Sequence, residues 1–407
     1  MLAFQLAAKV GLALRSLLVP LLLEASPEAV LSKHPLIDLH VDLPIVLRIL
    51  YSNNLSKVNY SGTLPGAVDL DRLRRGKSAG FFSIAFVECK SDGGDGFLSP
   101  TDSVRDTLEQ IDLTRRLPDY FAQDVALATT PASVRSNFAS DKISHLIGIE
   151  GAHSLGNSLA SLRLYHELGV RYLTLTHTCH NAFADSAGST TNETSAPLHG
   201  GLSAYGLRLI DEMNRLGMIV DLSHTSDDTA RQALARSEAP VIFSHSGARS
   251  IYNHIRNVPD DILTSISEGK GQYEAVVGIP FLPDFVGSAP DQTVARVADH
   301  VEHVAALAGR SRVAIGSDFD GFLPPGIEGL DDVSKYRNLF AELAKRGWSE
   351  NELAGLASGN FLRVFQKVLD VSERLQKKRK KLPDMKPWSN RTDLGKIPRA
   401  STFNVGN

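Results

Sequence analysis

Short apolar runs alternate with helical patterns along most of the 407-residue chain, and no other feature constrains its fold as much. Such alternation is typical of a parallel sheet covered by helices. The eight runs are Leu36–His40, Gly80–Val87, Ser144–Glu150, Arg171–Thr176, Gly217–Ser223, Pro240–Ser244, Ala275–Phe281 and Arg312–Ser317. Eight strand–helix units predict an α/β fold, a (β/α)8 TIM barrel. An open doubly wound sheet has the same alternation and stays an alternative.

Helical spacing of apolar residues fills the segments between the runs. The predicted helices are Ser103–Arg116, Ser158–Leu168, Ala204–Leu216, Ser226–Ala235, Asp260–Ile266, Gln292–Leu307, Val333–Arg346 and Ser349–Leu369. The segment Ala182–Gly201 is rich in Ser, Thr, Asn and Gly and is predicted to be a long loop. No glycine-rich phosphate-binding motif follows any run, which argues against a nucleotide-binding fold.

Charge and composition describe an ordinary globular protein without a basic surface. Apolar residues make up 43% of the chain, and the formal net charge is −3. Binding to nucleic acid usually needs a clustered positive surface, so we expect no nucleic-acid partner. The one basic run, Lys377–Lys381, lies in a polar, Pro-containing tail and is interpreted as a solvated helix end.

The chain is divided into three parts, with the barrel in the middle. Residues 1–30 are a signal peptide or an N-terminal helix, residues 31–371 are the barrel domain, and residues 372–407 are the tail. Lys9 and Arg15 before the apolar run Leu17–Leu23 favour a secretory signal, although Pro20 interrupts that run. Secretion is therefore favoured, with a cytoplasmic enzyme as the alternative. No later stretch is apolar and long enough to predict a transmembrane segment.

Two further features bear on the compartment. Glycosylation sequons occur at Asn54, Asn59, Asn192 and Asn390, and they act as acceptors only in the secretory route. The two cysteines, Cys89 and Cys179, are either a bonded pair or two buried thiols, and composition does not decide between them.

Residues able to bind a metal recur where the predicted strands end. The seven candidates are His40, Asp42, Glu150, His177, His224, His245 and Asp318, and they follow six different strands. The carboxyl ends of barrel strands converge on one face, which is where such folds place their active sites. Imidazole and carboxylate groups suit a borderline divalent ion such as zinc. The sequence therefore predicts a metal site at this face of the barrel.

A single histidine at a strand end is more often a hydrogen-bonded polar residue than a metal ligand. The other nine histidines are given that interpretation, with His153 and His180 close enough to the motifs to support the ligands. Asp38 and Asp221, just inside strand ends, are likewise predicted to be supporting residues. The prediction of a metal site therefore depends on all seven candidates together.

Several motifs resemble the membrane (renal) dipeptidase family of zinc dipeptidases, within the amidohydrolase-like barrels. The similarity covers roughly Pro35 to Val368. The motifs are His40-Val41-Asp42-Leu43-Pro44, Gly148-Ile149-Glu150-Gly151-Ala152-His153-Ser154, Arg171-Tyr172-Leu173-Thr174-Leu175-Thr176-His177, Val241-Ile242-Phe243-Ser244-His245-Ser246, Arg256-Asn257-Val258-Pro259-Asp260-Asp261 and Gly316-Ser317-Asp318-Phe319-Asp320-Gly321.

The resemblance implies two zinc ions per chain and a hydroxide that bridges them and attacks the peptide bond of a dipeptide. It implies that His40, Asp42 and Glu150 hold one zinc, and that Glu150, His224 and His245 hold the other. His177 would contact the substrate carbonyl or the tetrahedral intermediate. Arg256 would bind the substrate carboxylate, and Asp318 would transfer the proton. Cys89 and Cys179 fall where the family has a disulfide, which would favour an oxidising compartment.

Two positions depart from the family pattern. Phe285 stands where the family has a tyrosine, and Phe183 stands where it has a tryptophan. Substrate preference is therefore open, and a dipeptide or a small peptide-like molecule is the expected substrate. A homodimer is compatible with the sequence but is not specified by it.

Two other functions stay open on the sequence alone. A barrel hydrolase of cyclic amides, lactones or β-lactams can use the same kind of site, because one dinuclear centre can open several carbonyl bonds. Such enzymes often bridge their metals with a modified lysine, and here Glu150 occupies that strand end. A binding module that has lost catalysis is the third hypothesis, and the complete set of candidate ligands argues against it.

Overall fold

The computed structural model describes residues 26–89, 101–194 and 196–378. These residues form nine strands in one sheet, and every strand pairing is parallel. The strands are β1 Leu36–Val41, β2 Ser78–Phe86, β3 Val125–Leu127, β4 Ile143–Glu150, β5 Val170–Thr174, β6 Ile219–Asp221, β7 Val241–Phe243, β8 Ala275–Ile279 and β9 Val313–Ile315.

Eight of these strands close into a barrel. The order runs β2-β1-β9-β8-β7-β6-β5-β4, and β2 pairs with β4 from Gly80 opposite Ser144 to Phe86 opposite Glu150. This last pairing closes the sheet on itself. The predicted (β/α)8 barrel is therefore confirmed, and the open doubly wound sheet is wrong. All eight predicted strands belong to the barrel.

The strand β3 lies outside the barrel and was not expected. It pairs with the beginning of β4, where Val125 lies opposite Ile143 and Leu127 lies opposite His145. The strand β5 pairs with the same β4 further along, at Ile147–Ile149. A three-residue strand has too few positions for a periodic signal, so the sequence did not reveal it.

Helices of varied length surround the barrel in the described residues. They are Pro27–Lys33, Leu43–Tyr51, Leu70–Arg75, Thr101–Tyr120, Pro131–Ala139, Leu159–Glu167, Ala204–Leu216, Asp227–Arg236, Asp260–Ser265, Pro283–Val286, Val294–Ala308, Tyr336–Lys345, Glu350–Ala354 and Asn360–Lys378. Ordinary capping fixes several of their ends. Ser203, for example, accepts hydrogen bonds from the amides of Tyr205 and Gly206, and Gly217 ends the same helix with a positive φ of 81°.

The interior of the barrel is a packed apolar core rather than a channel. Side chains from the strands, such as Leu39, Phe82 and Tyr172, meet Phe361 and Phe365 of the helix Asn360–Lys378. The start of this helix lies under the amino ends of the strands, because Asn360 donates to the carbonyl of Val313. The barrel is therefore closed at this end, and its other end is left for function.

The helix Asn360–Lys378 extends beyond the predicted end at Leu369. The first residues of the predicted tail, from residue 372 to Lys378, are therefore helical. Leu375 continues its apolar face and is buried, and Ser372 donates to the carbonyl of Arg215. The charged residues on the outer face hide this continuation in the sequence. A π-helical turn, Gly355–Gly359, interrupts the predicted helix Ser349–Leu369.

Some predictions concern residues outside the described ranges. These are the signal peptide up to residue 25, the sequon at Asn390 and the tail beyond residue 378. Among the described residues, no helix is both long and apolar enough to cross a membrane.

Candidate functional site

The seven candidate residues lie together at the carboxyl ends of the barrel strands. All but His177 are buried, and the side chain of His177 is 16% exposed. Their ligand atoms fall into three overlapping groups within 4.8 Å, which are His40 with Glu150 and His245, Glu150 with His177 and His224, and His40 with Asp42 and Asp318. The structure thus brings together residues that are far apart in the chain.

The carboxylate of Glu150 is the centre of the cluster. Its Oε1 lies 3.0 Å from Nε2 of His224, 3.3 Å from Nε2 of His245 and 3.5 Å from Nε2 of His40. Its Oε2 faces the other way, 4.0 Å from Nε2 of His177. One carboxylate therefore contacts imidazoles on several sides, as a bridging ligand does.

Nitrogen and oxygen atoms converge on His40 as well. Its Nε2 lies 3.5 Å from Oδ2 of Asp42 and 4.0 Å from Oδ1 of Asp318. This nitrogen is buried and has no hydrogen-bond partner among the described residues. A buried polar atom without a partner is costly, and a cation at this position would remove that cost. The residues present therefore fit a divalent metal ion.

The orientation of His40 is fixed by Tyr172, inside the barrel. The hydroxyl of Tyr172 donates to the carbonyl of Leu39 at 3.0 Å and lies 2.9 Å from Nδ1 of His40. Because the hydroxyl proton is donated to the carbonyl of Leu39, the hydroxyl oxygen accepts a hydrogen bond from the Nδ1–H group of His40. In the neutral imidazole the lone pair is then on Nε2, which faces the cluster.

His245 is held in the same way by a serine. The hydroxyl of Ser244 donates to Oδ2 of Asp221 at 2.6 Å and lies 2.8 Å from Nδ1 of His245. It therefore accepts from Nδ1 of His245 and leaves the lone pair on Nε2. This nitrogen is 3.0 Å from Nε2 of His224, so two imidazoles point at one place beside Glu150.

Asp38 and Asp221 tie neighbouring strands together beneath the cluster. Asp38 accepts hydrogen bonds from the amides of His40 and Ser317 and from the hydroxyl of Tyr336. Asp221 accepts from the amides of Ser223 and Ser244 and from the hydroxyls of Thr174 and Ser244. Both carboxylates are occupied by these contacts, which is the supporting role predicted for them.

The backbone is strained at two of the seven residues. His224 and Asp318 have φ values of 64° and 66°, which side chains other than glycine rarely adopt. The carbonyl of His224 accepts from the hydroxyl of Thr176 and the amide of Ala187, and the amide of Asp318 donates to the carbonyl of His40. Such strain is common at functional sites, where the surrounding contacts maintain it.

The buried carboxyl and imidazole groups of the cluster shift one another's pKa values. Burial, with the nearby charges of Asp42 and Glu150, raises the pKa of Asp318 to about 8, although His40 opposes this. Burial would also raise the pKa of Glu150, but His40 and His177 hold it well below its usual range. Burial lowers the pKa of His177 to about 4, so its imidazole is neutral at pH 7. Groups perturbed in this way cluster at active sites.

Arg256 lies beside this cluster as a buried cation. Its guanidinium donates to the carbonyl of His245, and its Nε has no partner among the described residues. Burial lowers the pKa of Arg256 to about 10, still above neutrality. The guanidinium carbon lies 5.1 Å from the centre of the ring of Phe285, one of the two departures from the family pattern. The other, Phe183, stacks on Tyr205 at 4.9 Å.

The predicted pairing of Cys89 with Cys179 is confirmed, with their Cα atoms 5.9 Å apart. The disulfide lies next to His177, whose Nδ1 is 3.9 Å from the sulfur of Cys89. The supporting histidines contact the same loops: Nε2 of His153 pairs with the carbonyl of Val87, and Nδ1 of His180 accepts from the amide of Ser186.

Sequence reasoning missed the residues that orient the candidate ligands, above all Tyr172 and Ser244. Both lie inside the quoted motifs, Tyr172 in the fourth predicted strand, Arg171–Thr176, and Ser244 directly before His245. Their position within motifs was the available signal. Their contacts, however, link strands that are distant in the chain.

Comparison with known proteins identifies the family. The profile of the membrane dipeptidase family, peptidase family M19, matches residues 24–379. Dipeptidase aclJ of Aspergillus oryzae is 43% identical over 373 residues, which are 90% of this chain and 86% of that protein. Dipeptidase 3 of Rattus norvegicus is 41% identical over 348 residues, which are 85% of this chain and 67% of that protein.

A solved structure is similar in fold and in sequence. It is a metallopeptidase from Rhodobacter sphaeroides, liganded with a phosphinate mimic of the dipeptide L-Ala-D-Ala. It is 25% identical with a TM-score of 0.71, and the match covers 82% of this chain and 99% of that one. From the family profile and from relatives of this similarity, the chain belongs to the membrane dipeptidase family of metallopeptidases, peptidase family M19.

Proposed function

We propose that the protein hydrolyses the single peptide bond of dipeptides and uses two zinc ions to do so. The observation that carries this proposal is the position of Glu150, whose carboxylate contacts His40, His224 and His245 within 3.5 Å. His40, Asp42 and Glu150 would hold one ion, and Glu150, His224 and His245 would hold the other. Three imidazoles and two carboxylates are ligands that zinc prefers.

When bound, the two divalent ions would lower the pKa of a bound water towards neutrality and would polarise the carbonyl of the substrate. The remaining chemistry belongs to side chains of the chain. Asp318 lies at the edge of the cluster, with its Oδ1 4.0 Å from Nε2 of His40. From there its carboxylate, which neighbouring bound cations would keep ionised, would accept the proton of the attacking water and deliver it to the leaving amine in general acid–base catalysis.

His177 stabilises the charge that develops on the carbonyl oxygen. Its imidazole is neutral and partly exposed, and Nε2 faces the side of Glu150 that points away from the other imidazoles. A positioned N–H group aimed at such an oxygen commonly contributes about 100-fold or more to the rate.

Arg256 binds the carboxylate at the end of the substrate. It is a buried guanidinium that makes no ion pair with a carboxylate among the described residues. A buried cation of this kind is costly unless an anion reaches it. A guanidinium also matches the two oxygens of a carboxylate. This feature favours substrates with a free carboxylate near the scissile bond, as dipeptides have, over cyclic amides, lactones and β-lactams that lack one.

The test is a panel of dipeptides, given to the zinc-loaded enzyme, to the chelated enzyme and to the chelated enzyme after zinc is restored. The panel includes Cys-Gly, dipeptides with a C-terminal D-residue, and the matching dipeptide amides. We expect hydrolysis that chelation abolishes and zinc restores, and amides that are poor substrates. The variant Arg256→Met should raise KM for dipeptides more than about tenfold, because the carboxylate loses a charged partner.

Arg236→Met is the matched control, since this arginine pairs with Asp211 on the surface, away from the cluster. If dipeptide amides are hydrolysed as fast as free dipeptides, Arg256 does not bind the substrate carboxylate. A preference for a cyclic amide, lactone or β-lactam would favour the alternative barrel hydrolase.

A further inference from the structure

The ring of His177 is held differently from the imidazoles of His40 and His245. His40 and His245 each place Nδ1 against a buried hydroxyl, that of Tyr172 or that of Ser244. Nδ1 of His177 instead has the hydroxyl of Thr178 at 3.2 Å and the sulfur of Cys89 at 3.9 Å. Thr178 is partly exposed, and a disulfide sulfur is a weak acceptor. Hydrogen bonding alone therefore fixes this ring weakly.

Packing against neighbouring side chains holds the imidazole of His177 in place. The ring of Phe86 meets the ring of His177 edge to face, with the centroids 4.9 Å apart. The ring of His224 lies on another side, with its centroid at 4.3 Å. The disulfide Cys89–Cys179 contacts the Nδ1 edge. Removing it would leave only the hydroxyl of Thr178 beside that edge of the imidazole.

The disulfide also joins two loops that the barrel keeps apart. Cys89 follows β2 and Cys179 follows β5, and β4, which carries Glu150 at its end, lies between those strands. The bond therefore crosses over the end of β4, and Cys179 is only two residues after His177. The carbonyl of His177 is held separately by the hydroxyl of Ser186. The disulfide therefore restrains mainly the imidazole of His177 and the backbone that follows this residue.

The cluster of Cys89, His153 and Cys179 is compact enough to suggest a metal site. The two sulfurs are bonded to each other, however, so neither is available as a thiolate ligand. A structural function for this bond is the remaining interpretation.

We propose that the disulfide Cys89–Cys179 is a positioning element that holds the imidazole of His177 with Nε2 towards the substrate. The ring must keep its proton on Nε2 to donate to the substrate oxygen, and Nδ1 must then accept from Thr178. Rotation of the ring about its Cβ–Cγ bond would place Cε1 where Nε2 was and remove the donor. This proposal rests on the role given to His177 under the proposed function.

The test is a double-mutant cycle in the zinc-loaded enzyme. The pair Cys89→Ala/Cys179→Ala is made in the wild-type background and in His177→Ala. We expect kcat for a dipeptide to fall about tenfold or more in the wild-type background, with a smaller change in KM. In the His177→Ala background the same pair should change kcat by less than about twofold, because the disulfide has no ring left to position.

Zinc content and circular dichroism are measured on all four proteins. Wild-type kcat without the disulfide, the same fold-loss in both backgrounds, or loss of zinc together with the disulfide would each overturn the proposal. If the pair of alanines prevents folding, reduction of the folded enzyme with a phosphine and its re-oxidation replace the variant in both backgrounds. If His177→Ala alone has the kcat of the wild type, His177 does not have the role given to it, and this proposal is wrong. Dipeptide hydrolysis and its dependence on zinc would not be affected by that result.

Discussion

At the scale of single residues, the site depends on a few side chains that occupy unusual positions. Asp318 combines a left-handed backbone with a buried carboxyl group whose pKa burial raises to about 8. The glycine at 321 allows this arrangement, since a Cβ there would lie 2.5 Å from Oδ1 of Asp318 and 2.7 Å from Oδ2 of Asp42. A side chain at this glycine would push the two acids apart.

Asp318→Asn tests the proton-transfer role directly. Asparagine has nearly the same shape but cannot accept a proton, so kcat should fall by about 100-fold or more while two zinc ions remain bound. Steady-state kinetics and metal analysis on the same sample measure both. Asp228→Asn is the matched control, because its carboxylate is exposed and pairs with Arg231 outside the cluster. Near-normal turnover by Asp318→Asn would assign proton transfer to another group.

Tyr172→Phe tests how the ligands are oriented. The change removes the hydroxyl that fixes His40 and keeps the ring that fills the barrel interior. Zinc affinity should fall by about 10-fold to 100-fold, as for other hydrogen-bond partners of metal-binding histidines. Competition with a chromophoric chelator measures it. Tyr165→Phe is the control, since its buried hydroxyl donates to the carbonyl of Ser154 and touches no ligand. Equal affinity in wild type and Tyr172→Phe would show that His40 needs no such support.

The seven clustered residues could be predicted because each follows an apolar run and carries a side chain of metal-binding type. Their orienting partners could not. Tyr172 occupies a position in a strand that an ordinary core residue could fill, and its contact with His40 joins residues 132 positions apart. Only the closed barrel shows that these two side chains meet.

At the scale of elements, the barrel strands were predictable, whereas several short helices were not. The helix Leu43–Tyr51 is a short apolar run, with Ile49 71% exposed and Leu50 51% exposed, and a run of this length does not distinguish a helix from a buried strand. Its proline at the first turn suits a helix start but is equally typical of a turn. Strand β3 is too short for any pattern. Elements of this length depend on tertiary contacts rather than on their own periodicity.

The helix Asn360–Lys378 is the element on which the closed end of the barrel depends. Phe365 is fully buried among strand residues of the interior, so Phe365→Ala leaves a cavity there. The free energy of unfolding should fall by about 3–5 kcal/mol. Urea denaturation of the zinc-loaded protein measures it. Gln366→Ala, the next and exposed residue on the same helix, should change it by less than about 0.5 kcal/mol. Similar losses for both variants would contradict the packing described for this end.

At the scale of the whole molecule, the two ends of the barrel differ in structure and in function. One end is filled by apolar side chains and closed by a helix. The other end then places imidazoles and carboxylates from separate strands within a few ångströms of Glu150. The closed ring of strands thus turns residues scattered along the chain into one site.

Anomalous diffraction from crystals of the zinc-loaded protein, collected at the zinc absorption edge, tests this account most directly. We expect two peaks at the carboxyl ends of the strands, one between Glu150 and the pair His40 and Asp42, and one between Glu150 and the pair His224 and His245. A single peak, peaks away from Glu150, or no peak at all would contradict the paired site.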